Sequence, residues 1–181
     1  MKILAVCGSP RKGNTELMLS ELLLGASSAG AETELILLRK LKISHCVGCL
    51  SCSKTGKCSI IDDMKGLYPK IKQSDVLVLG SPNYYENVTG IMKDFIDRLN
   101  IYYDKKELKG KKVFLLCAGG SSSVKALDKM EDTVRMQGME VAGMIGAKAL
   151  EPSEIARDSA KLKECFEAGR ELAVLKNKRG K

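Results

Sequence analysis

Short apolar runs alternate along this chain with longer segments in which apolar and polar residues repeat at helical spacing. Continuous apolar runs separated by helices are typical of a parallel sheet that is covered on both faces. The runs predict strands at Lys2–Cys7, Glu32–Leu38, Asp75–Gly80, Lys112–Ala118 and Met139–Ala147. The amphipathic segments predict helices at Asn14–Ala29, Thr89–Tyr102, Ser123–Met136 and Glu154–Leu175. We therefore expect an α/β fold, a doubly wound five-stranded parallel sheet in three layers (α/β/α), with ligands at the carboxyl ends of the strands.

One long segment, Arg39–Ile61, interrupts this alternation and carries four of the seven cysteines. A loop of this length inside a compact domain is usually functional. The whole chain has 181 residues, which suffice for one well-packed domain and are few for two. The prediction is a single domain over residues 1–181 with a cysteine-rich loop inserted at about 39–61.

Composition and net charge indicate where the protein is located and which classes of partner it can bind. Hydrophobic residues make up 44% and charged residues 29% of the chain, as in ordinary globular proteins. The apolar runs are too short to cross a membrane and the first run lacks a secretion signal, so we expect a cytoplasmic protein. The formal net charge of +8 fits nucleic acid, an acidic protein partner or simple solubility. With few aromatic residues, no Trp and no evident recognition helix, we predict no nucleic-acid binding.

The turn after the first predicted strand, residues 8–15, has the features of an anion-binding site. It opens a helix, where unpaired backbone N–H groups and the helix dipole favour a negative charge. Ser9, Asn14 and Thr15 add side-chain donors, and Arg11 adds a positive charge. Asn14 stands where a nucleoside-triphosphate loop requires Lys, and the dinucleotide pattern G-x-G-x-x-G is missing. The remaining interpretations are a monophosphate cradle, which suits FMN, and an ordinary turn in which Asn14 caps the helix.

Two further turns leave the sheet at the same predicted edge. The turn after the third strand, residues 80–87, combines a fixed backbone at Pro82 with flat tyrosine rings and polar Asn side chains. A planar ring system needs this mixture of apolar walls and oriented hydrogen bonds. The turn after the fourth strand, residues 118–123, offers bare glycine backbone that could approach a ring edge. Singly, the tyrosines could pack on the core and the later turn could be a flexible connection, but the three turns together favour a flavin pocket.

Four cysteines are spaced like the ligands of a metal cluster. Three thiols recur at every third residue and a fourth follows after five intervening residues, at Cys46, Cys49, Cys52 and Cys58. Thiolates at this spacing can wrap one corner of an iron–sulfur cubane, with the fourth closing it. Zinc, reduced thiols without metal and a redox disulfide stay open as alternatives. The remaining cysteines fall on predicted strands or a helix, where we expect core packing: Cys7, Cys117 and Cys165.

These motifs together resemble those of the iron–sulfur flavoproteins, which belong to the NADPH-dependent FMN reductase-like superfamily with its flavodoxin-like fold. The resemblance rests on the 8–15 turn and on the cysteine spacing followed by Asp62-Asp63-Met64. It rests also on Ser81-Pro82-x-Tyr84, which leads to Lys93–Arg98. It extends from Lys2 to about Gly120, and the cysteine motif is its specific part.

The resemblance implies an FMN site, a metal centre and an oligomer. It implies that the four spaced cysteines hold a [4Fe-4S] cluster and that their loop lies near a subunit interface of a homodimer or homotetramer. The FMN phosphate would bind Ser9, Arg11, Gly13, Asn14 and Thr15. The ring would lie beside Pro82, Asn83, Tyr84, Tyr85, Gly119 and Gly120.

The expected function is electron transfer by a flavin-dependent oxidoreductase. A ferredoxin-like donor would reduce the cluster, and FMN would pass the electrons to a small acceptor such as oxygen, peroxide or a quinone. The flavin carries the chemistry, so no side chain is assigned a catalytic role. Two alternatives stay open: an NAD(P)H-dependent FMN or quinone reductase without a functional cluster, and a non-catalytic redox sensor or electron carrier.

Overall fold

Five parallel strands form one sheet in the computed structural model of this protein, which describes residues 1–120 and 123–175. The strands are β1 (Lys2–Cys7), β2 (Glu32–Leu37), β3 (Val76–Pro82), β4 (Lys112–Gly119) and β5 (Glu140–Lys148). Their order across the sheet is β2-β1-β3-β4-β5. The register places Ile3 of β1 beside Thr33 on one side and Val76 on the other. The doubly wound parallel sheet predicted from the apolar runs is therefore confirmed.

Helices cover both faces of this sheet. Those of the described residues are α1 (Asn14–Ser28), α2 (Ser51–Thr55), α3 (Met64–Gln73), α4 (Gly90–Arg98), α5 (Val124–Met136) and α6 (Ser159–Ala173). α1 and α6 pack in the core on one face, and α3, α4 and α5 pack in the core on the other. None of these helices is both long and apolar enough to cross a membrane.

The core follows the two-residue period of the strands. In β1 the side chains of Ile3, Ala5 and Cys7 belong to the core beneath α1 and α6. Leu4 and Val6 point the other way, into the core beneath α3, α4 and α5. Because both sets are buried, β1 is apolar from Ile3 to Cys7, as expected for a central parallel strand.

Helix α3 is missing from the elements that the sequence predicts. Its apolar residues Met64, Leu67 and Ile71 are buried at helical spacing, but lysines separate them and Pro69 lies in the helix interior. Proline usually ends or kinks a helix, so it hides this one in the sequence pattern. Tertiary packing of the apolar face decides the structure here.

The predicted final helix, 154–175, is wrong at its start. Residues Glu154–Arg157 form a separate 3-10 turn, and α6 begins only at Ser159. Asp158 sets this boundary because its side chain accepts a hydrogen bond from the backbone N–H of Lys161 at 2.9 Å. An aspartate that caps a helix in this way marks its first turn.

Two glycines allow α1 and α6 to approach closely. A Cβ atom added to Gly25 of α1 would lie 1.9 Å from the carbonyl oxygen of Phe166. A Cβ atom added to Gly169 of α6 would lie 1.8 Å from the carbonyl oxygen of Leu22. Neither distance is possible, so any larger residue would force the two helix backbones apart. This contact fixes α1, whose first turn borders the candidate site.

Candidate functional site

A cleft of about 190 Å³ opens at the edge where the carboxyl ends of the strands meet. The chain moves from β1 outwards to β2 on one side of the sheet and then crosses to β3 on the other side of β1. The gap between β1 and β3 is therefore the point where the strand order reverses, and doubly wound sheets bind ligands at such points. The cleft is lined by Ser9, Arg11, Gly13, Asn14, Thr15, Pro82, Asn83, Tyr84, Ala118, Gly119, Gly120, Ala149 and Leu150.

The cleft brings together the three turns that the sequence singles out. Every residue predicted to contact the phosphate or the ring lines it, except Tyr85. Of the predicted 118–123 turn, residues 121 and 122 lie outside the described part of the chain. Ala149 and Leu150, which follow β5, were missed. The available signal was their place after the fifth predicted strand, at the same edge of the sheet.

The first turn is shaped by its own serine. The Ser9 hydroxyl donates to the carbonyl oxygen of Arg11 at 2.6 Å and accepts from the Arg11 backbone N–H at 3.3 Å. Gly13 directly precedes α1, and no side chain caps the free N–H groups of the first helical turn. The nearest atom to a Cβ built on Gly13 would be the backbone nitrogen of Ser153, 4.0 Å away. Backbone donors and Arg11 are thus available to an anion.

One negative charge next to this turn is neutralised. Glu16 lies in the first turn of α1, where its carboxylate would repel a bound phosphate. Its Oε2 lies 2.8 Å from Nη1 of Arg39, and the two side chains are 15% and 18% exposed. Because its charge is paired with that of Arg39, Glu16 does not cancel the positive potential at the start of α1.

Asn14 joins the first turn to the segment after β5. Its Nδ2 donates to the carbonyl oxygen of Glu151 at 2.8 Å, and its Oδ1 accepts from the N–H of Ile155 at 3.1 Å. The interpretation of Asn14 as a helix cap is therefore wrong, since its side chain bonds across the cleft edge. This tether positions Leu150 as a wall of the cleft.

Thr89 connects the first turn to the turn after β3, and sequence reasoning assigned it no role in the site. Its hydroxyl donates to the carbonyl oxygen of Gly8 at 2.5 Å, and its N–H donates to the Ser81 hydroxyl at 3.1 Å. The same hydroxyl oxygen caps α4 by accepting from the N–H of Met92 at 3.3 Å. Thr89 is buried, so these bonds hold two walls of the cleft at a fixed separation. A threonine at the very start of the predicted helix 89–102, where capping residues are common, was the available signal.

The turn after β3 separates the two tyrosines. Tyr84 and Asn87 exchange backbone hydrogen bonds of 2.9 and 3.0 Å, which closes a tight turn. Its two central residues, Tyr85 and Glu86, both have positive φ, at 50° and 61°. Tyr84 lines the cleft, whereas Tyr85 is fully exposed at the tip. Tyr85 therefore lies outside this cleft, and its contact with the ring stays a prediction.

The four spaced cysteines lie on an exposed loop. Cys46 and Cys49 are exposed, while Cys52 and Cys58 are partly buried, and all are free thiols. Cys49 Sγ lies 3.2 Å from the Ser59 hydroxyl. Within residues 1–120 and 123–175, no three His, Cys, Asp or Glu side chains come together as metal ligands. The remaining cysteines are buried, which raises their pKa to about 11, 12 and 12 at Cys7, Cys117 and Cys165.

A buried ion pair closes the neck of this loop. Arg98, at the end of α4, binds Asp62 through two contacts of 2.6 and 3.1 Å, and the two side chains are 1% and 7% exposed. Arg98 also donates to the carbonyl oxygen of Ser44 at 2.9 Å. Asp62 accepts from the N–H groups of Ser44 and Met64 at 2.9 and 3.0 Å. Asp62 and Arg98 thereby hold together the chain segments that precede and follow the four cysteines.

The contacts of Asp62 and Arg98 together affect the pKa of each group more than burial does. Burial by itself would raise the pKa of Asp62, but hydrogen bonds from Arg98, Ser44 and Met64 lower it overall. Burial likewise opposes the charge of Arg98, yet Asp62 and other neighbours raise its pKa. Both groups are therefore ionised at neutral pH, and the neck stays closed.

Helix α4 links the cleft to the cysteine loop. Thr89 at its start bonds to the first turn, and Arg98 at its end holds the neck, about 13 Å further along the helix axis. Between them, Asp94 Oδ1 lies 2.6 Å from Nδ1 of His45, and this hydrogen bond raises the pKa of the histidine. Asn100, just beyond α4, donates to Cys52 Sγ at 3.7 Å.

The surroundings of Cys58 fit a thiolate bound to a soft metal. The hydroxyl of Tyr68 and the Nε–H of Arg98 are buried and make no hydrogen bond to the described residues. Cys58 and Tyr68 line the same cavity. Orphaned donors beside a cysteine suit an anionic sulfur acceptor, and a donor set made only of thiols suits an iron–sulfur cluster.

Comparison with known proteins shows the relatives of this chain. Residues 1–147 match the family described as NADPH-dependent FMN reductase. A protein of Archaeoglobus fulgidus named "Iron-sulfur flavoprotein" is 34% identical over 176 residues, which cover 96% of this chain and 79% of that protein. A protein of the same name from Methanosarcina thermophila is 32% identical over 148 residues, which cover 79% and 78%. Among solved structures, a flavodoxin from the domain Archaea has a TM-score of 0.65 at 20% identity over 96% of each chain, a likeness of fold.

Proposed function

The chain belongs to the NADPH-dependent FMN reductase family and to the iron–sulfur flavoproteins within it, and from this premise we propose a specific electron route. The chain is a flavin-dependent oxidoreductase. The proposed route runs from a ferredoxin-like donor, through a [4Fe-4S] cluster on the cysteine loop, to FMN in the cleft and then to a small acceptor. The observation that carries this proposal is the arrangement of an anion-binding cleft and a thiol loop at the two ends of α4.

Different residues of the cleft would bind the phosphate and the ring of FMN. Arg11 and the free N–H groups at the start of α1 would bind the phosphate, with Thr15 buried beside them. Pro82 and Tyr84 would form one wall for the ring. The proposed FMN residues are Ser9, Arg11, Gly13, Asn14, Thr15, Pro82, Asn83, Tyr84, Gly119 and Gly120.

The cysteine loop would hold the metal centre. The proposed ligands are Cys46, Cys49, Cys52 and Cys58. When bound, a [4Fe-4S] cluster supplies single-electron steps and FMN accepts either one or two electrons. The closed neck at Asp62 and Arg98 keeps the ligand segment in one place on the fold, which favours metal binding over an open chain.

Positive charge around the loop supports an acidic protein donor. Lys105 approaches the loop so closely that its Nζ would lie 3.0 Å from a Cβ added to Gly56. Exposed lysines on or beside the loop form no ion pair with any described residue, namely Lys54, Lys57 and Lys105. Such unpaired charge accelerates encounter with an oppositely charged partner.

Apolar side chains on the same loop support an oligomer. Val47, Leu50 and Ile61 are 71%, 58% and 88% exposed. Large apolar residues grouped on one surface mark interaction sites. We propose a homodimer or homotetramer in which this loop lies near a subunit interface.

The electron donor is tested by stopped-flow mixing of the cofactor-loaded protein without oxygen. Reduced ferredoxin should bleach the flavin absorbance, and the rate should fall steeply as salt rises, because screening weakens electrostatic steering. Replacing one proposed ligand, Cys52→Ser, should abolish this bleaching while FMN stays bound. A rate that does not change with salt would contradict the docking role of the lysines.

The second candidate is an NAD(P)H-dependent FMN or quinone reductase in which the cysteines have no electron-transfer role. The family description, NADPH-dependent FMN reductase, favours it. Stopped-flow mixing distinguishes this candidate from the cluster-dependent electron route. Rapid bleaching by NADPH, unaffected by Cys52→Ser, together with no reaction with ferredoxin, would establish this candidate instead.

A further inference from the structure

Two buried donors near Cys58 make no hydrogen bond to the rest of the described chain. They are the phenol hydroxyl of Tyr68 and the Nε–H of Arg98. A buried donor without an acceptor is costly, so it is rare in native proteins and calls for an explanation. An acceptor that binds at this place is one such explanation.

Tyr68 and Cys58 face one apolar cavity. The cavity encloses about 380 Å³, and Ile60, Ile61 and Ile101 form its apolar walls. A phenol keeps its proton at neutral pH, so the Tyr68 hydroxyl can donate a hydrogen bond to an anion.

The Tyr68 side chain is held in this orientation. Its ring packs edge-on against Tyr102, with the centroids 6.0 Å apart and the planes at 83°. The Tyr102 hydroxyl donates to the backbone carbonyl oxygen of Tyr68 at 2.6 Å. Asp62 occupies Nη1 and Nη2 of Arg98, which leaves the Nε–H free on the remaining side of the guanidinium.

The other loop thiols have different neighbours. Cys49 lies beside the neutral hydroxyl of Ser59, and Cys52 accepts from the neutral amide of Asn100. Cys46 is exposed to solvent. Cys58 is thus the loop thiol that has a buried phenol and a buried guanidinium behind it.

We propose that Tyr68 donates a hydrogen bond to the thiolate sulfur of Cys58 when that cysteine binds the cluster. This inference rests on the proposed function. Hydrogen bonds and positive charge at a cluster sulfur stabilise the reduced, more negative state, so they raise the reduction potential. Tyr68 is accordingly a positioning residue that sets how readily the cluster accepts an electron.

The test is an anaerobic redox titration of the cofactor-loaded protein, with the cluster followed by electron paramagnetic resonance and the flavin by absorbance. Tyr68→Phe removes only the hydroxyl and should shift the cluster midpoint to a more negative potential, leaving the flavin midpoints unchanged. Tyr103→Phe deletes the hydroxyl of an exposed tyrosine instead, so it should leave the cluster midpoint in place.

A second variant changes the sign of the effect and retains the side chain. Tyr68→3-fluorotyrosine carries a more acidic hydroxyl, which donates more strongly and should shift the cluster midpoint to a more positive potential. A loaded cluster whose midpoint is the same in wild type, Tyr68→Phe and the fluorinated variant overturns the inference alone. Wild-type protein without iron and sulfide overturns the proposed function as well.

Discussion

At the scale of single residues, the thiols of this chain differ in acidity because their surroundings differ. The hydroxyl of Ser59, followed by the backbone N–H of Ser51, lowers the pKa of Cys49. Burial raises the pKa of Cys117 and Cys165 to about 12. Since the thiolate is the reactive form, iodoacetamide should label Cys49 of the metal-free protein first and leave the buried thiols unmodified.

Mass spectrometry of the alkylated protein checks this order. Ser59→Ala should slow the labelling of Cys49 several-fold, because it removes the largest of the stabilising hydrogen bonds. Ser53→Ala, an exposed serine on the same loop, is the matched control and should change nothing. Equal labelling rates for Cys49 in all three proteins would contradict the prediction.

The neck residue Asp62 carries a stability effect that depends on pH. Asp62→Asn leaves Arg98 buried without its counter-charge and should lower the free energy of unfolding by about 3 kcal/mol at pH 7. The pKa of Asp62 is lowered from 3.8, so its contribution is complete above that value and is lost as the pH falls through the lowered pKa. Urea unfolding curves of wild type and variant should therefore converge in acid.

Asp63→Asn provides the control for this experiment. Asp63 accepts from the N–H of Lys42 at 2.7 Å at the surface, and an amide oxygen can accept the same bond. The variant should stay within about 0.5 kcal/mol of wild type. An Asp62→Asn loss that is the same at pH 7 and at pH 3 would show that the ion pair is not its cause.

The sequence indicated which residues surround the cleft but not how each is used. The turn 8–15 was predicted to bind an anion because it opens a helix. The two hydrogen bonds of Asn14 to the segment after β5 could not be predicted, because their partners lie far away in the sequence. The family resemblance implied a contact between Tyr85 and the ring. The positive φ of Tyr85 turns it outwards, and bulky residues rarely signal that conformation in a sequence.

At the scale of elements, the contact between α1 and α6 makes a strong prediction. Gly169→Ala would place a methyl group 1.8 Å from the Leu22 carbonyl oxygen, so the helices must separate. We expect a loss of about 3 kcal/mol in the free energy of unfolding, because a packed backbone cannot yield as a side chain can. Thermal and urea unfolding measure the loss.

Gly66→Ala is the matched control for that substitution. Gly66 lies in α3, and nothing lies within 4 Å of a Cβ added there. Because alanine favours a helix over glycine, this variant should gain up to about 1 kcal/mol. Destabilisation by both substitutions to the same extent would show that helix packing is not what Gly169 protects.

Element predictions succeeded where one local signal dominated. The central strands β1, β3 and β4 are largely continuous apolar runs, and all five strands were found to within a few residues. Helix α3 was missed because Pro69 and its lysines mask the apolar face of Met64 and Ile71. These residues are helical because burial against the sheet outweighs local preference, and a single sequence does not state where the sheet lies.

At the scale of the whole molecule, the parallel sheet follows from the alternation of elements, and the shared edge of its turns follows from that topology. The cysteine loop behaves differently. The spacing of its thiols indicates metal chemistry, but its course along α4 depends on Asp62 and Arg98, which lie 36 positions apart. Long-range pairs of this kind fix the loop relative to the cleft and are not visible in local patterns.

The central claim is that one chain holds both a flavin and a thiolate-bound cluster. It is tested most directly by counting FMN, iron and acid-labile sulfide per chain in protein purified without oxygen. We expect one FMN, four iron and four sulfide for each chain, together with flavin absorbance. Colourless protein that contains neither iron nor sulfide and does not bind added FMN would contradict it.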